Sequence, residues 1–112
     1  MKTLVKITII AILAFVFTSN TSAQSATTKT ETLKVSGNCD MCKTRIEKAA
    51  KIDGVTKAEW SKKDKTLTAS FDPAKTNIEA IGKKIAAAGH DNEKAKATDK
   101  VYNKLPGCCQ YR

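Results

Sequence analysis

The sequence predicts an α+β domain of the split βαβ type. In this arrangement two helices cover one face of a four-stranded antiparallel sheet, and a short C-terminal extension follows. Three observations lead there. Two stretches, Leu33–Val35 and Leu67–Phe71, alternate apolar and polar residues as half-buried strands do. Two others, Cys42–Ala50 and Ile78–Ala88, repeat apolar residues at helical spacing. The elements also come in the order strand, helix, strand, strand, helix, strand (βαββαβ).

The first strand carries Leu33 and Val35 between Thr32, Lys34 and Ser36, and ends at Gly37. The first helix places Cys42, Ile46, Ala49 and Ala50 on one face and stops at Asp53-Gly54. Val55, Ala58 and Trp60 open a second strand; Leu67, Ala69 and Phe71 mark a third. The polar run Ser61-Lys62-Lys63-Asp64-Lys65 joins these two strands as a hairpin. Asp72-Pro73 breaks the ladder. Thr76 with Glu79 reads as a capping box at the start of the second helix, where Ile78, Ile81, Ile85 and Ala88 share a face. Gly82 weakens that helix by about 1 kcal/mol relative to alanine. Gly89 suits the left-handed position just past the helix end. A weak fourth strand is expected over residues 91–97, then a short helix over Asp99–Leu105 stopped by Pro106-Gly107. The expected core is Val35, Ile46, Val55, Trp60, Leu67, Phe71, Ile81 and Ile85. It is a small core, as a domain of this size requires.

The 112 residues allow one domain. Residues 1–23 read as a signal peptide: two lysines, the apolar run Ile7–Phe17, then small residues around Thr21 and Ala23. The run is shorter than the ~20 residues that span a bilayer. The chain is therefore expected in the periplasm or secreted, with no stable membrane insertion after cleavage. Residues 24–30 form a flexible lead-in, 31–97 the folded domain, and 98–112 a cysteine-containing extension. Loss of Lys2 and Lys6 lowers the net charge from +9 to +7. The remaining lysines are scattered and aromatic residues few, which argues against nucleic acid and for solvation or an acidic partner.

Four cysteines in an exported domain ordinarily suggest disulfides. Cys39-Asp40-Met41-Cys42 invites another reading, because it falls where the first strand gives way to the first helix. Two sulfurs three residues apart across a helix start can converge on one ion. The helix N-terminus, with Lys43 and Arg45, favours the thiolate, the form that binds metal. Thiolates are soft ligands, selecting Cu(I), Hg(II) or Zn(II) over hard cations. Two ligands on an exposed loop leave the ion open to an incoming thiolate, which suits carriage by ligand exchange.

The segment Val35-Ser36-Gly37-Asn38-Cys39-Asp40-Met41-Cys42, with Ile46-Glu47, Gly54-Val55 and Ala88-Gly89-His90, resembles the heavy-metal-associated domain. That family is the ferredoxin-like module of copper chaperones, periplasmic mercury-binding proteins and metal-pumping ATPases. The resemblance covers about residues 31–97. It implies a non-catalytic metal carrier holding its ion between Cys39 and Cys42. Cu(I) is expected ahead of Hg(II) and Zn(II), and the expected partner is a metal-transporting membrane protein or another metal-binding protein. One departure stands out: the family pattern G-M-x-C-x-x-C is a residue longer than Gly37-Asn38-Cys39 here. Its methionine is missing, and Met41 sits between the cysteines instead. Met41 is expected to fold beneath the loop, with direct ligation the lesser alternative.

If a fourth strand lies beside the first, His90 falls at the same end of the sheet as the cysteines, as a candidate ligand, as a neighbour that tunes the site, or simply as a solvated side chain. Cys108 and Cys109 are candidates for extra metal ligands or for a disulfide to Cys39 or Cys42. A seven-residue fourth strand carries the chain ~23 Å away and a short helix brings it back only ~10 Å, so return to the loop requires an extended tail. Two alternatives to metal carriage remain at this point. A thiol–disulfide oxidoreductase would need a proline facing the dithiol, and neither Pro73 nor Pro106 precedes a strand in that position. The other is a zinc-stapled structural or adaptor module.

Overall fold

A computed structural model describes residues 27–112; the expected signal peptide and residues 24–26 of the lead-in lie outside the described residues, and Lys29 and Thr30, expected in the lead-in, already belong to the first strand. The elements are β1 (Lys29–Lys34), α1 (Asp40–Ala50), β2 (Val55–Ser61), β3 (Thr66–Phe71), α2 (Ile78–Ala87), a single turn α3 (Asp99–Tyr102) and a 3₁₀ turn at Gly107–Cys109. The sheet order is β1-β3-β2, antiparallel throughout, with Leu33 opposite Leu67 and Trp60 opposite Leu67 on its other side. Alternation sends Leu33, Ala58, Trp60, Leu67, Ala69 and Phe71 to one face, where Ile46 of α1 and Ile81 and Ile85 of α2 complete a single core. Seven of the eight expected core residues are buried; Val55, at the start of β2, is only partly so.

Among the described residues the sheet has three strands, not four. Residues 91–97 make only isolated bridges, Val35 to Asn92 and Asn92 to Ala95. The reason lies in two short polar side chains that compete with the ladder for backbone donors. Asn92 Oδ1 accepts from the N–H groups of Lys94 and Ala95 (3.0 and 3.2 Å), and Asp91 Oδ1 accepts from Ala97 N (2.7 Å). The segment curls into a compact turn against α2. Gly82 explains itself here: a Cβ at that position would meet Asn92 Oδ1 at 2.6 Å and Lys94 Cβ at 2.7 Å. Its helix-weakening character is the condition for this close approach.

The second helix is capped one residue later than expected. Asn77 Oδ1 accepts from Ala80 N at 2.8 Å, while Thr76 is buried. Gly89 does take the left-handed conformation, with φ +111°. Leu105 packs onto it, at 2.7 Å from where a Cβ would stand. Because residues 91–97 do not run out as a strand, the chain is never carried far from the loop at the start of α1. The tail returns to that loop without needing a long extended stretch. No helix among the described residues is long and apolar enough to cross a membrane.

Candidate metal centre

The loop between β1 and α1 is held from both sides. Trp60 Nε1 donates to the carbonyl of Val35 at 3.0 Å, and Lys65 Nζ donates to that of Gly37 at 2.6 Å. Cys39 then takes the N-cap position of α1 in extended conformation (φ −142°, ψ 177°) with no oxygen side chain to cap the first turn. The N–H of Cys42, otherwise open at a helix start, acts on the Cys39 sulfur instead. Cys42, one turn on, is fully buried on the inward face with Ile46 and Ala50. Its Sγ lies 3.3 Å from that of Cys39 and accepts from Asn38 N at 3.3 Å.

The Cys39 thiol is held down to about 7 from 9.0. The largest cause is the backbone N–H of Cys42, followed by the Cys42 thiol; burial opposes them, and Cys108 and Cys109 add smaller downward contributions. Lys43 and Arg45 are not among these causes. Lys43 pairs with Glu47, and Arg45 reaches away to donate to Ala88 O at 3.1 Å. Of the two expected influences on the thiolate, the helix start leads, while Lys43 and Arg45 are engaged elsewhere.

All four cysteines are free thiols. The tail brings Cys109, fully buried, to 3.8 Å from Cys39 Sγ, and the Cys39 thiol donates to the carbonyl of Cys108 at 3.4 Å. Cys108 is exposed, 4.0 Å from Cys109 Sγ and 3.8 Å from Met41 Sδ. The sulfurs of Cys39, Cys108 and Cys109 all lie within 4.8 Å of one another. Met41 is 51% exposed, not folded beneath the loop. The inward face of α1 is already taken by Cys42 and Ile46, and Met41, one residue before Cys42, turns outward.

His90 is fully buried behind the loop rather than at its surface. Its Nδ1 donates to the carbonyl of Ser36 at 2.8 Å, and its ring stacks on Tyr111 at 5.7 Å. Burial lowers its pKa. Nε2 has no hydrogen-bond partner among the described residues, and His90 is not part of the sulfur group. It braces Ser36, three residues before Cys39.

Sequence reasoning missed the groups that hold the tail. Tyr111 Oη donates to Gly89 O (2.8 Å) and accepts from Asp91 N (2.7 Å). Arg112 pairs with Asp91 (2.9 Å) and Asp99 (2.8 Å), donates to Ala97 O (2.8 Å) and stacks on Tyr102. Asn38 Nδ2 ties the loop itself to Gln110 O at 3.2 Å. The only hint in the sequence is an aromatic residue and an arginine shortly after a cysteine pair.

A small α+β domain that gathers three thiols within 4.8 Å of one another beside a helix start has the architecture of a metal-binding module. The heavy-metal-associated domain family matches residues 29–91, and the chain belongs to it. Over 67 residues it is 40% identical to the mercuric transport protein periplasmic component of Shewanella putrefaciens, a match spanning 58% of this chain and 74% of that one. Among solved structures it is similar to oxidized MerP of Ralstonia metallidurans CH34 (33% identity, TM-score 0.56, 60% of this chain and 96% of that one). It is also similar to the CopZ metallochaperone (30% identity, TM-score 0.55, 57% and 98%).

Proposed function

We propose that this chain binds a soft heavy-metal ion between Cys39 and Cys42 in the periplasm and hands it on by thiolate exchange. The observation that carries this reading is the pair of sulfurs 3.3 Å apart at the uncapped start of α1, one of them with its thiol held down to about 7. Softness admits both Cu(I) and Hg(II), and softness together with the family resemblance read from the sequence puts Cu(I) first. The names of the sequence relatives, mercuric transport proteins of the periplasm, favour Hg(II) ahead of Cu(I), and both ions accept two thiolates.

Binding releases the thiol protons to solvent and forms two metal–sulfur bonds. Transfer begins when a thiolate of the acceptor attacks the open side of the ion. The new bond forms before an old one breaks, so no step passes through a free ion and nothing is oxidised or reduced. The acceptor is a thiol-bearing metal-transporting membrane protein or another metal-binding protein.

Anaerobic titration of the reduced protein with Hg(II) and Cu(I) against competing chelators tests this. One ion per chain is expected, and Cys39→Ser should weaken binding by about 100-fold or more, equivalent to about 2.7 kcal/mol. Undiminished affinity in Cys39→Ser would overturn the assignment.

A further inference from the structure

The tail cysteines lie beyond the family's matched residues 29–91 and have no part in a two-thiolate carrier. We propose that Cys108 and Cys109 are ligands to the same ion as Cys39 and Cys42, closing the open pair into a four-thiolate site for a divalent d10 ion such as Zn(II), Cd(II) or Hg(II). The proposal rests on the reading of Cys39 and Cys42 as ligands and extends it.

Spacing is the first argument. With metal–sulfur bonds of about 2.3 Å, as for zinc, the sulfurs of a tetrahedral thiolate site stand about 3.8 Å apart, whereas a linear pair stands about 4.6 Å apart. Cys39 to Cys109 is 3.8 Å, Cys108 to Cys109 is 4.0 Å and Cys39 to Cys42 is 3.3 Å. These three of the six edges lie within about half an ångström of the tetrahedral value; Cys42 stands outside the 4.8 Å group of Cys39, Cys108 and Cys109 and joins it through Cys39. Cys39 is the junction of the two pairs. Four soft thiolates in tetrahedral array select zinc and its heavier congeners.

Construction is the second argument. A dedicated set of contacts holds the tail against the loop, with Tyr111 on Gly89 and Asp91, Arg112 on Asp91 and Asp99, Leu105 on Gly89, and Gln110 on the loop residue Asn38. Together they fix Cys109, fully buried, against Cys39, and leave Cys108 exposed over Met41. Three thiols gathered this closely, one of them fully buried, are a poor arrangement for ionisation without a counter-charge. A bound cation reverses that balance, because a coordinating thiol is deprotonated by the metal's own charge. Four thiols give four protons to solvent and leave a centre of charge −2, facing the uncapped amides of α1. Release then requires an acceptor thiolate to displace the tail sulfurs first, so the tail sets how firmly the ion is retained.

The test loads the reduced full chain with one equivalent of Cd(II) and counts sulfur neighbours by X-ray absorption, with thiolate-to-metal charge-transfer absorbance as a parallel readout. Four sulfurs are expected in the wild type and three in Cys108→Ser, whose exposed position leaves the packing intact. Two are expected in Cys108→Ser/Cys109→Ser, with Cd(II) affinity reduced about 100-fold. Circular dichroism verifies that each variant is folded. Two sulfurs in the wild type, or a count unchanged by Cys108→Ser, would overturn the proposal while leaving the Cys39–Cys42 reading intact. Wild-type affinity in Cys39→Ser/Cys42→Ser would overturn both.

Discussion

The sulfurs of Cys39 and Cys109 stand 3.8 Å apart, yet their surroundings drive them toward opposite protonation states. Cys39 caps an open helix start, where the N–H of Cys42 draws its thiol down to about 7. Cys109 is the buried last residue of a 3₁₀ turn, and burial together with the neighbouring sulfurs of Cys42 and Cys39 pushes its thiol upward. The difference teaches that a cysteine's chemistry follows the backbone it sits on. One pair is presented by a helix start braced by β2 and the turn that follows it. The other is delivered by a tail held through hydrogen bonds and ion pairs around Gly89 and Asp91.

That division can be broken at its shared support. Trp60 is 1% exposed, closes the core beneath the loop, and donates to Val35 O. Trp60→Ala should cost about 3–5 kcal/mol, read by urea unfolding, and should erase the contrast between the two thiols. A variant that unfolds like wild type would show that the loop does not depend on this support.

A narrower cut separates the pairs. Gly89 has φ +111°, and an alanine Cβ there would meet Leu105 Cδ2 at 2.7 Å. Gly89→Ala should destabilise by about 1–3 kcal/mol and should expose Cys109 to alkylation while Cys42 stays protected. Equal exposure of both would mean that tail and loop unfold as one unit.

The smallest effect is set by pH. Asp91 is pulled upward by burial, but Arg112 and the N–H of Ala97 outweigh this and hold its carboxyl below the ordinary 3.8. A depressed carboxyl contributes stability that is present above 3.8 and is lost as pH falls through the folded value. The tail should therefore loosen below pH 3.8, with the T-shaped contact of Tyr102 and Tyr111 reporting it in the near-ultraviolet circular dichroism. Asp91→Asn should remove the acid sensitivity.

The same contrast separates what was legible in the sequence from what was not. Leu33, Trp60, Leu67 and Phe71 announce the sheet because alternation is a local signal, and Cys39 and Cys42 announce their site because three-residue spacing at a helix start is local too. The fourth strand failed because Asp91 and Asn92 spend their side chains on nearby backbone N–H groups, a competition that composition does not reveal. The same miss made the tail's return conditional on an extended stretch, since a fourth strand of ~23 Å leads away from the loop. The contacts that return it, Leu105 on Gly89 and Tyr111 on Gly89 and Asp91, join residues far apart in sequence and carry no periodic signature. His90 was placed at the correct end of the sheet, but its burial and its bond to Ser36 depend on Tyr111 stacking over it.

The most direct measurement is alkylation of each cysteine, resolved by mass spectrometry, across pH and with or without one equivalent of Hg(II). Cys39 in the metal-free protein should react with a midpoint near pH 7, where the tail thiols are still protonated. One equivalent of Hg(II) should abolish the reaction at Cys39. A Cys39 that titrates like an ordinary thiol near 9.0, or that stays reactive while the ion is bound, would contradict the assignment of this residue as the metal-gripping thiolate.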